Sequence, residues 1–323
     1  MKKLQAISLF SGCGGFDLGA TKAGIEIIWA NDIDEDASKA YRSILPNVDF
    51  HLGDIQKIGN FPQADILIGC YPCTGFSLGA RRRNKNFETR DLYNIKGNFL
   101  YTEFLRALKQ IKPKYLFVEN VRGMLSAEDG WFFNQQLEGF KEAGYTPQYK
   151  LLKAEGYGVA QARRRIFIVG VRKDLHDFKY HFPEPTHGLK KEKHFKFLQD
   201  LLYSMDRWPE GEYFDGPFHG HYLTRNRKRS WDELSYTIVA NSHHVPLHPM
   251  GKPMLKVGKD NWKLRGNENR RLSWRECAIL QDLPHELLDI DSSLKAKYKV
   301  IGNAVPPILG KKLIEPVVKY ENS

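Results

Sequence analysis

The chain is short of several things at once. No stretch of its 323 residues approaches the run of ~20 apolar residues that a membrane-spanning helix needs. The opening Met1-Lys2-Lys3-Leu4 leads straight into a strand-like segment, with no apolar signal region or cleavage site, and so predicts a cytoplasmic protein. There are only four cysteines, Cys13, Cys70, Cys73 and Cys277. They are too few and too scattered for a disulfide framework, which points to a reducing compartment. Internal repeats and low-complexity tracts are missing. Acid is in short supply too: 38 Asp and Glu face 49 Lys and Arg, for a net charge of +11, so a polyanionic partner is expected. What remains is 41% hydrophobic and 12% aromatic, the composition of a globular protein with a substantial core.

Between Leu4 and Arg172, short β-rich runs alternate with helix-like stretches. The runs Ala6–Phe10, Ile25–Ala30, Val48–His51, Ala64–Gly69, Tyr115–Val118, Tyr149–Lys153 and Ile166–Val171 read as strands. Asp17–Ala23, Asp34–Ile44, Asn98–Ile111 and Trp131–Ala143 read as helices. That alternation predicts an α/β fold, a doubly wound and mostly parallel sheet with helices on both faces and a ligand edge at its strand ends. After about Phe182, Pro and Gly interrupt the pattern while His, Arg and Lys become dense. Regular patterning resumes at Arg271, with a helix across Leu272–Leu280 and a final helix at Ile308–Lys319. The expected organisation is residues 1–182 as an α/β domain, 183–270 as a smaller inserted basic module, and 271–323 as a segment returning to the first domain.

Phe10-Ser11-Gly12-Cys13-Gly14-Gly15 lies between the first strand and the first helix. Glycines there allow close approach of a ligand to the backbone and expose amides. The spacing departs from the dinucleotide fingerprint. Asp32 follows the second strand, where it can accept both hydroxyls of a ribose, and Asp54 follows the third, within reach of an adenine amino group. Carboxylates at consecutive strand ends repel a pyrophosphate but suit a nucleoside. S-adenosyl-L-methionine, which has no phosphate and carries a positive sulfonium, fits this lining better than NAD.

A thiol follows the fourth strand in Gly69-Cys70-Tyr71-Pro72-Cys73-Thr74-Gly75. Cys73 sits where a nucleophile would, on a constrained turn at a strand end. Taken alone, such a cysteine reads equally as a small buried hydrophobe. Cys70 and Cys73 also form a C-x-x-C, a spacing open to redox chemistry or zinc, although no second pair is near in sequence. Glu119, in Val118-Glu119-Asn120-Val121, ends another strand. Arg163 and Arg165, in Gln161-Ala162-Arg163-Arg164-Arg165, would point the same way if a strand begins there. Each of these also has a plain reading as a solvated or paired charge.

In their joint order, with Arg275-Glu276-Cys277-Ala278 and Gly302-Asn303-Ala304-Val305-Pro306-Pro307, these motifs resemble the DNA cytosine-5 methyltransferases over nearly the whole chain. The resemblance implies methyl transfer from S-adenosyl-L-methionine to C5 of a cytosine in double-stranded DNA, through a covalent adduct of Cys73 with C6 of a flipped-out base. It implies catalytic roles for Cys73, Glu119, Arg163 and Arg165. Cofactor contacts would come from Phe10, Gly12, Cys13, Gly15, Asp32, Ile33, Asp54, Ile55, Pro72, Leu100, Asn303 and Val305. One departure stands out, since Thr74 occupies the position after the Pro-Cys pair where the family usually has Gln.

For DNA, Arg81, Arg82 and Arg83 follow the thiol loop and are placed to grip phosphates; Arg225, Arg227 and Arg229 alternate as they would along one side of an extended strand. The stretch from Thr224 to Pro249 looks like the recognition region of the branch that methylates GGCC, with His243 where that branch has arginine. A restriction–modification methylase acting as a monomer, with a separate cognate endonuclease, is the expectation. An RNA methyltransferase of the same fold and a catalytically silent DNA binder stay open at this point.

Overall fold

The computed structural model describes residues 3–72, Leu92 and residues 95–323. Cys73, Thr74 and the arginines Arg81, Arg82 and Arg83 lie outside the described residues. Seven strands form the main sheet: β1 (Gln5–Leu9), β2 (Glu26–Asp32), β3 (Asp49–Leu52), β4 (Ile66–Gly69), β5 (Tyr115–Val121), β6 (Tyr145–Lys153) and, after the two-residue β7 (Gln161–Ala162), β8 (Arg164–Arg172). Their order is β3-β2-β1-β4-β5-β8-β6. The first five are parallel, and β8 runs antiparallel to both its neighbours. This is the mixed α/β, mostly parallel sheet that the alternating pattern predicts.

Period-two alternation sorts the strand side chains into two layers. Ala6, Ile66 and Ile68 enter one core together with Phe16 and Leu313. Ile7, Leu9 and Leu67 enter another with Phe104 and Phe132. Helix α1 (Gly15–Lys22) and the last helix cover the first layer, while α3 (Tyr101–Ile111) and α4 (Trp131–Glu142) cover the second. Helix α2 (Glu35–Ile44) starts on Asp34, whose carboxylate accepts from the Ala37 N–H at 3.1 Å. This cap is worth about 1 kcal/mol.

Three expectations change in the fold. Strand β6 begins at Tyr145 and runs through Pro147; it pairs only with β8, and an edge strand tolerates a residue without an N–H. Helix α6 (Trp274–Leu280), which follows the short α5 (Leu198–Leu202), starts later than Leu272 because Ser273 and Glu276 close a reciprocal capping box there. Before the final helix α8 (Pro307–Glu321) lies α7 (Leu294–Asn303), a helix that the hydrophobic pattern does not predict. Its apolar residues at 294, 296, 298 and 300 alternate in the manner of a strand, whereas Ser293 caps it through the Ala296 N–H at 3.2 Å.

Helix α8 lies against α1 through glycine. A Cβ on Gly19 would meet the Pro307 carbonyl oxygen at 2.1 Å, and one on Gly310 would meet the Phe16 carbonyl oxygen at 2.5 Å. No side chain fits between the two helices at these points. Among the described residues, no helix is long and apolar enough to cross a membrane.

Residues 183–270 carry little regular structure: α5, β9 (Ser235–Tyr236), which pairs with β7, and the hairpin of β10 (Leu255–Gly258) and β11 (Asn261–Lys263). Buried ions join this stretch to α6. Arg270 donates from Nη1 and Nη2 to Glu276 at 2.8 and 2.7 Å, and the pair is almost solvent-free. His248 Nδ1 accepts from the Met250 N–H at 3.2 Å, which puts the neutral ring's proton on Nε2, 3.4 Å from Glu276 Oε1. Burial, helped by Arg270 and Lys228, pushes the His248 pKa down to about 3.

The unfolded chain binds a proton on this ring near 6.5, and the folded protein does so only near 3. Stability linked to the neutral imidazole is therefore complete above pH 6.5 and is lost as pH falls toward 3, at ~1.4 kcal/mol per pH unit. His248→Gln should flatten the pH dependence of the urea midpoint below 6.5 by about one proton. A parental slope in the variant would place the acid sensitivity elsewhere.

Candidate active site

The strand order reverses between β1 and β4. The chain leaves β1 toward β2 on one side and β4 toward β5 on the other, which opens a crevice at their carboxyl ends. Four strand ends converge on this edge, since Leu9 lies opposite Asn31 and Gly69, and Asp32 opposite Leu52.

After β1, Phe10 and Gly12 both adopt φ 55°, and Gly14 adopts φ 79°. This left-handed path favours glycine and makes Phe10 an exception. It turns the Gly12 N–H onto Asp32 Oδ2 at 2.8 Å, while the Asp34 N–H donates to Oδ1 at 2.9 Å. Burial raises the Asp32 pKa, and these two amides act against that rise. Next to it, Ile33 is 70% exposed, an open apolar surface on which a flat ring can lie. Asp54 follows β3 and accepts from the Gln56 N–H at 3.0 Å. Pro72 follows β4, half-buried, and the half-buried Leu100 packs on the core shared with Leu9 and Phe10. Asn303, at the end of α7, is exposed.

Four of the expected pocket residues are buried. Cys13 and Ile55 are core side chains, and burial pushes the Cys13 thiol up to about 12. Val305 is buried, and its carbonyl oxygen lies 2.1 Å from where a Cβ on Gly15 would be. Gly15 and Val305 thus pack the glycine turn against the Gly302–Val305 segment.

The second half of the site lies at the ends of β4 and β5. Their pairing sets Gly69 opposite Val118, so Cys70 reaches Glu119. Burial and the Glu119 charge push the Cys70 thiol well up, the reverse of an activated thiolate. Asn120 Nδ2 donates to the Tyr71 carbonyl at 3.5 Å, which ties the turn that leads to position 73 against β5. Among the described residues, no three His, Cys, Asp or Glu side chains converge as a metal site.

Glu119 is 8% exposed. On β8, Val121 lies opposite Arg165 and Glu119 opposite Phe167, so Glu119 and Arg165 are diagonal neighbours on one face. Arg165 Nε sits 3.0 Å from Glu119 Oε1. The contact is ionic rather than an aligned hydrogen bond, and among the described residues Oε1 has no hydrogen-bond donor. Burial raises the Glu119 pKa, with Arg165 and then Arg163 pulling it back. A buried carboxyl with a raised pKa can exchange a proton with a ligand at this edge.

Arg163 does not share that role. Strand β8 begins at Arg164, and the fully buried Arg163 side chain turns away to three backbone carbonyls: Ile238 from Nη1 at 3.2 Å, and Gly302 and Ala304 from Nη2 at 3.2 and 2.8 Å. Gln161 joins it, donating to the Leu280 carbonyl at 2.7 Å and to the Gln281 side chain, and accepting from the Ile238 N–H at 3.1 Å. Gln281 in turn donates to the Ala304 carbonyl at 2.6 Å. Sequence reasoning misses this clasp of Gln161, Arg163 and Gln281. Its one signal is two polar residues flanking a short β run.

The three alternating arginines do not line one face. Arg225 is exposed. Arg227 is buried, with Nε on the Tyr222 carbonyl at 3.0 Å and its guanidinium over the Tyr222 ring at 4.6 Å. Arg229 pairs with Glu233 at 2.7 Å and lies over Tyr236. His243 is half-buried, its ring 4.2 Å from that of Phe214.

Arg163→Lys swaps a planar fork for a single ammonium that does not span the Ile238 and Gly302 carbonyls together, while Ala304 keeps its Gln281 donor. The expected loss is about 1–3 kcal/mol of stability, read as a lower urea midpoint. A midpoint equal to the parent's would show that the clasp is not needed.

The profile of C-5 cytosine-specific DNA methylases matches residues 4–319. The type II methyltransferase M.BsuRI of Bacillus subtilis is 38% identical, over 98% of this chain and 80% of its own length. M.BspRI of Lysinibacillus sphaericus is 37% identical, over 98% of this chain and 82% of its own. Among solved structures, the Dnmt2 methyltransferase of S. pombe superposes with a TM-score of 0.70 at 17% identity, covering 100% of both chains, a likeness of fold. The sheet, its ligand edge and these matches together make the chain a member of the C-5 cytosine-specific DNA methylase family, an enzyme of the type II restriction–modification kind.

Proposed function

We propose that the protein methylates C5 of a cytosine within a short, guanine-containing site of double-stranded DNA, as the protective methylase of a restriction–modification pair whose endonuclease is a separate protein. The observation that carries this reading is the setting of Glu119. It is a buried acid held by Arg165, one strand from the Tyr71–Pro72 segment that precedes Cys73 in sequence, on the same sheet edge as the Asp32-backed glycine turn.

The residues of that edge fit S-adenosyl-L-methionine. Asp32 and Asp54 offer carboxylates to a nucleoside, Ile33 offers an open apolar surface, and no Lys or Arg stands in the turn Phe10–Gly15 to hold a phosphate. When bound there, S-adenosyl-L-methionine supplies the methyl group from its sulfonium. Everything else falls to the chain.

Cytosine C5 is a weak nucleophile, and addition of the Cys73 thiolate to C6 makes the ring an enamine. Glu119, protonated, donates to N3 as negative charge builds in the ring, and Arg165 steadies the carboxyl and the O2 edge. Arg163 holds the frame to which Arg165 and the Gly302–Val305 wall belong. Loss of the C5 proton then releases the thiol. C6 of a stacked base is out of reach, so the cytosine must leave the helix, at a cost of a few kcal/mol. Residues 183–270 form the module that holds the opened duplex, with Arg225 as the exposed member of its three alternating arginines and Arg81 and Arg82 gripping phosphates beside the thiol loop. The stretch around Arg225–Arg229 supports kinship with the GGCC-methylating branch, whereas His243 departs from that branch's arginine and speaks against carrying over its recognition sequence. All groups belong to one chain, which fits a monomer working in the cytoplasm.

Tritiated methyl transfer to matched duplex DNA and tRNA tests the substrate class; label confined to RNA overturns it. Cys73→Ala should abolish transfer and leave DNA affinity within about twofold, because the nucleophile is removed and the grip stays. A duplex with 5-fluorocytosine in the site should trap the parent covalently and leave Cys73→Ala free. Glu119→Gln should slow transfer by about 10²–10⁴-fold, the usual worth of a positioned acid. Parental rates in either variant would remove that residue from the chemistry.

A further inference from the structure

The β10–β11 hairpin projects from residues 183–270 in a way that its own packing does not explain. Every residue from Leu255 to Asn261 is exposed, as are Lys252, Lys263 and Arg265. Pairing sets Leu255 opposite Lys263 and Lys256 opposite Trp262. The ribbon therefore has one face toward the small core of Tyr222, Leu247 and Met254, where Trp262 packs. Its other face is open, with Leu255 50% and Val257 42% exposed. Lys263 and Arg265 alternate onto this open side, Lys252 and Lys259 lie at its two ends, and Lys256, though on the Trp262 side, is itself exposed. Against them stand Asp260 and Glu268 as the only acids between residues 252 and 268.

The base of the hairpin is built to hold its direction. Lys228 is buried, and its ammonium reaches the Met250 carbonyl at 2.7 Å and the Lys252 carbonyl at 3.3 Å on one leg, and the Glu268 carbonyl at 3.4 Å and Asn269 Oδ1 at 2.8 Å on the other. Asn269 also donates to the Arg265 and Gly266 carbonyls at 3.1 and 2.9 Å. Gly251 takes φ 72°, and a Cβ there would strike the Glu268 carbonyl oxygen at 2.5 Å, so the legs touch backbone to backbone. Burying a lysine costs desolvation, and here the expense fixes an arm with no large core of its own. The same lysine is flanked by Arg227 and Arg229, and the Tyr222–Thr224 turn against which the arm packs leads directly to Arg225.

We propose that this hairpin is a phosphate-gripping arm that binds the DNA duplex outside the bases that are recognised. The inference deepens the proposed function and rests on it. A rigid, exposed ribbon rich in lysine matches a polyanionic backbone, and lysines that neutralise phosphates add affinity and salt dependence without sequence information.

The test uses the full chain carrying Lys256→Gln, Lys259→Gln and Lys263→Gln together. Equilibrium binding is measured across a salt series on a long duplex containing the methylated site. The expected result is a Kd about tenfold weaker at ~0.1 M salt and a salt slope reduced by about 2–3, at ~0.9 for each phosphate no longer neutralised. Maximal turnover and base preference should stay those of the parent. Lys228→Met should weaken binding in the same sense while removing no exposed charge; should it not fold, the triple variant decides alone. An unchanged Kd and slope overturn the arm and assign its open face to a protein partner. A changed base preference also overturns it, as base readout. A parent that binds no duplex refutes the proposed function itself, whereas a triple variant equal to a DNA-binding parent refutes the arm alone.

Discussion

Everything at the ligand edge hangs on the register of β4 between β1 and β5. Leu9 pairs with Gly69 and Gly69 with Val118. The residues that follow (Phe10, Cys70 and Glu119) are therefore brought to one line although they come from three distant parts of the chain. Parallel ladders have a side-chain period of two, and a slip of one residue would carry Glu119 into the buried layer that Val118 occupies. The hydrophobic sorting of Ile66 and Ile68 to one layer and Leu67 to the other makes such a slip expensive.

Residues 183–270 share an apolar core with the rest of the protein, where Leu198, Leu202, Ile238 and Val245 meet Ala30, Ala160 and Trp274, and are joined to it as well by polar groups that see no water. Arg163, Gln161 and Gln281 bind one another or backbone carbonyls from the insert, α6 and the α7–α8 junction. Arg270 and Glu276 with His248 do the same at a second point. Desolvating such groups offsets most of what their bonds return, so their contribution is less to net stability than to a unique arrangement. A greasy joint could slide. A guanidinium fitted to three carbonyls has one position.

How much of this is legible in the sequence depends on how local the cause is. The sheet can be read because Ala6–Leu9 and Ile66–Gly69 carry their own patterns, Asp32 because it ends a strand and Asp54 because it follows one closely. Glu119 is visible because it breaks the apolar run Tyr115–Val118, although β5 continues past it to Val121. Arg163 is not: the alternation that pairs it with Arg165 fails one residue before β8 starts, and its true partners lie on residues 238, 302 and 304. Arg227 likewise turns inward because Tyr222 and His244 offer carbonyls there, something no spacing reveals. Helix α7 hides behind an alternating pattern and is declared only by its Ser293 cap. Lys228 looks like one more charge in a basic run, yet it is the buried foot of the hairpin.

The glycine-to-carbonyl seam between α1 and α8 has a consequence for the order of events in the cell. The outer side of the first helix is finished only by the last one, through contacts of very high sequence separation, which form slowly and late. During synthesis the βα unit of β1 and α1 leaves the ribosome with that side bare, and it stays so until Pro307–Glu321 has been made. The glycine turn therefore gains the wall beside it only when α8 arrives, a delay that no change in the catalytic groups could shorten.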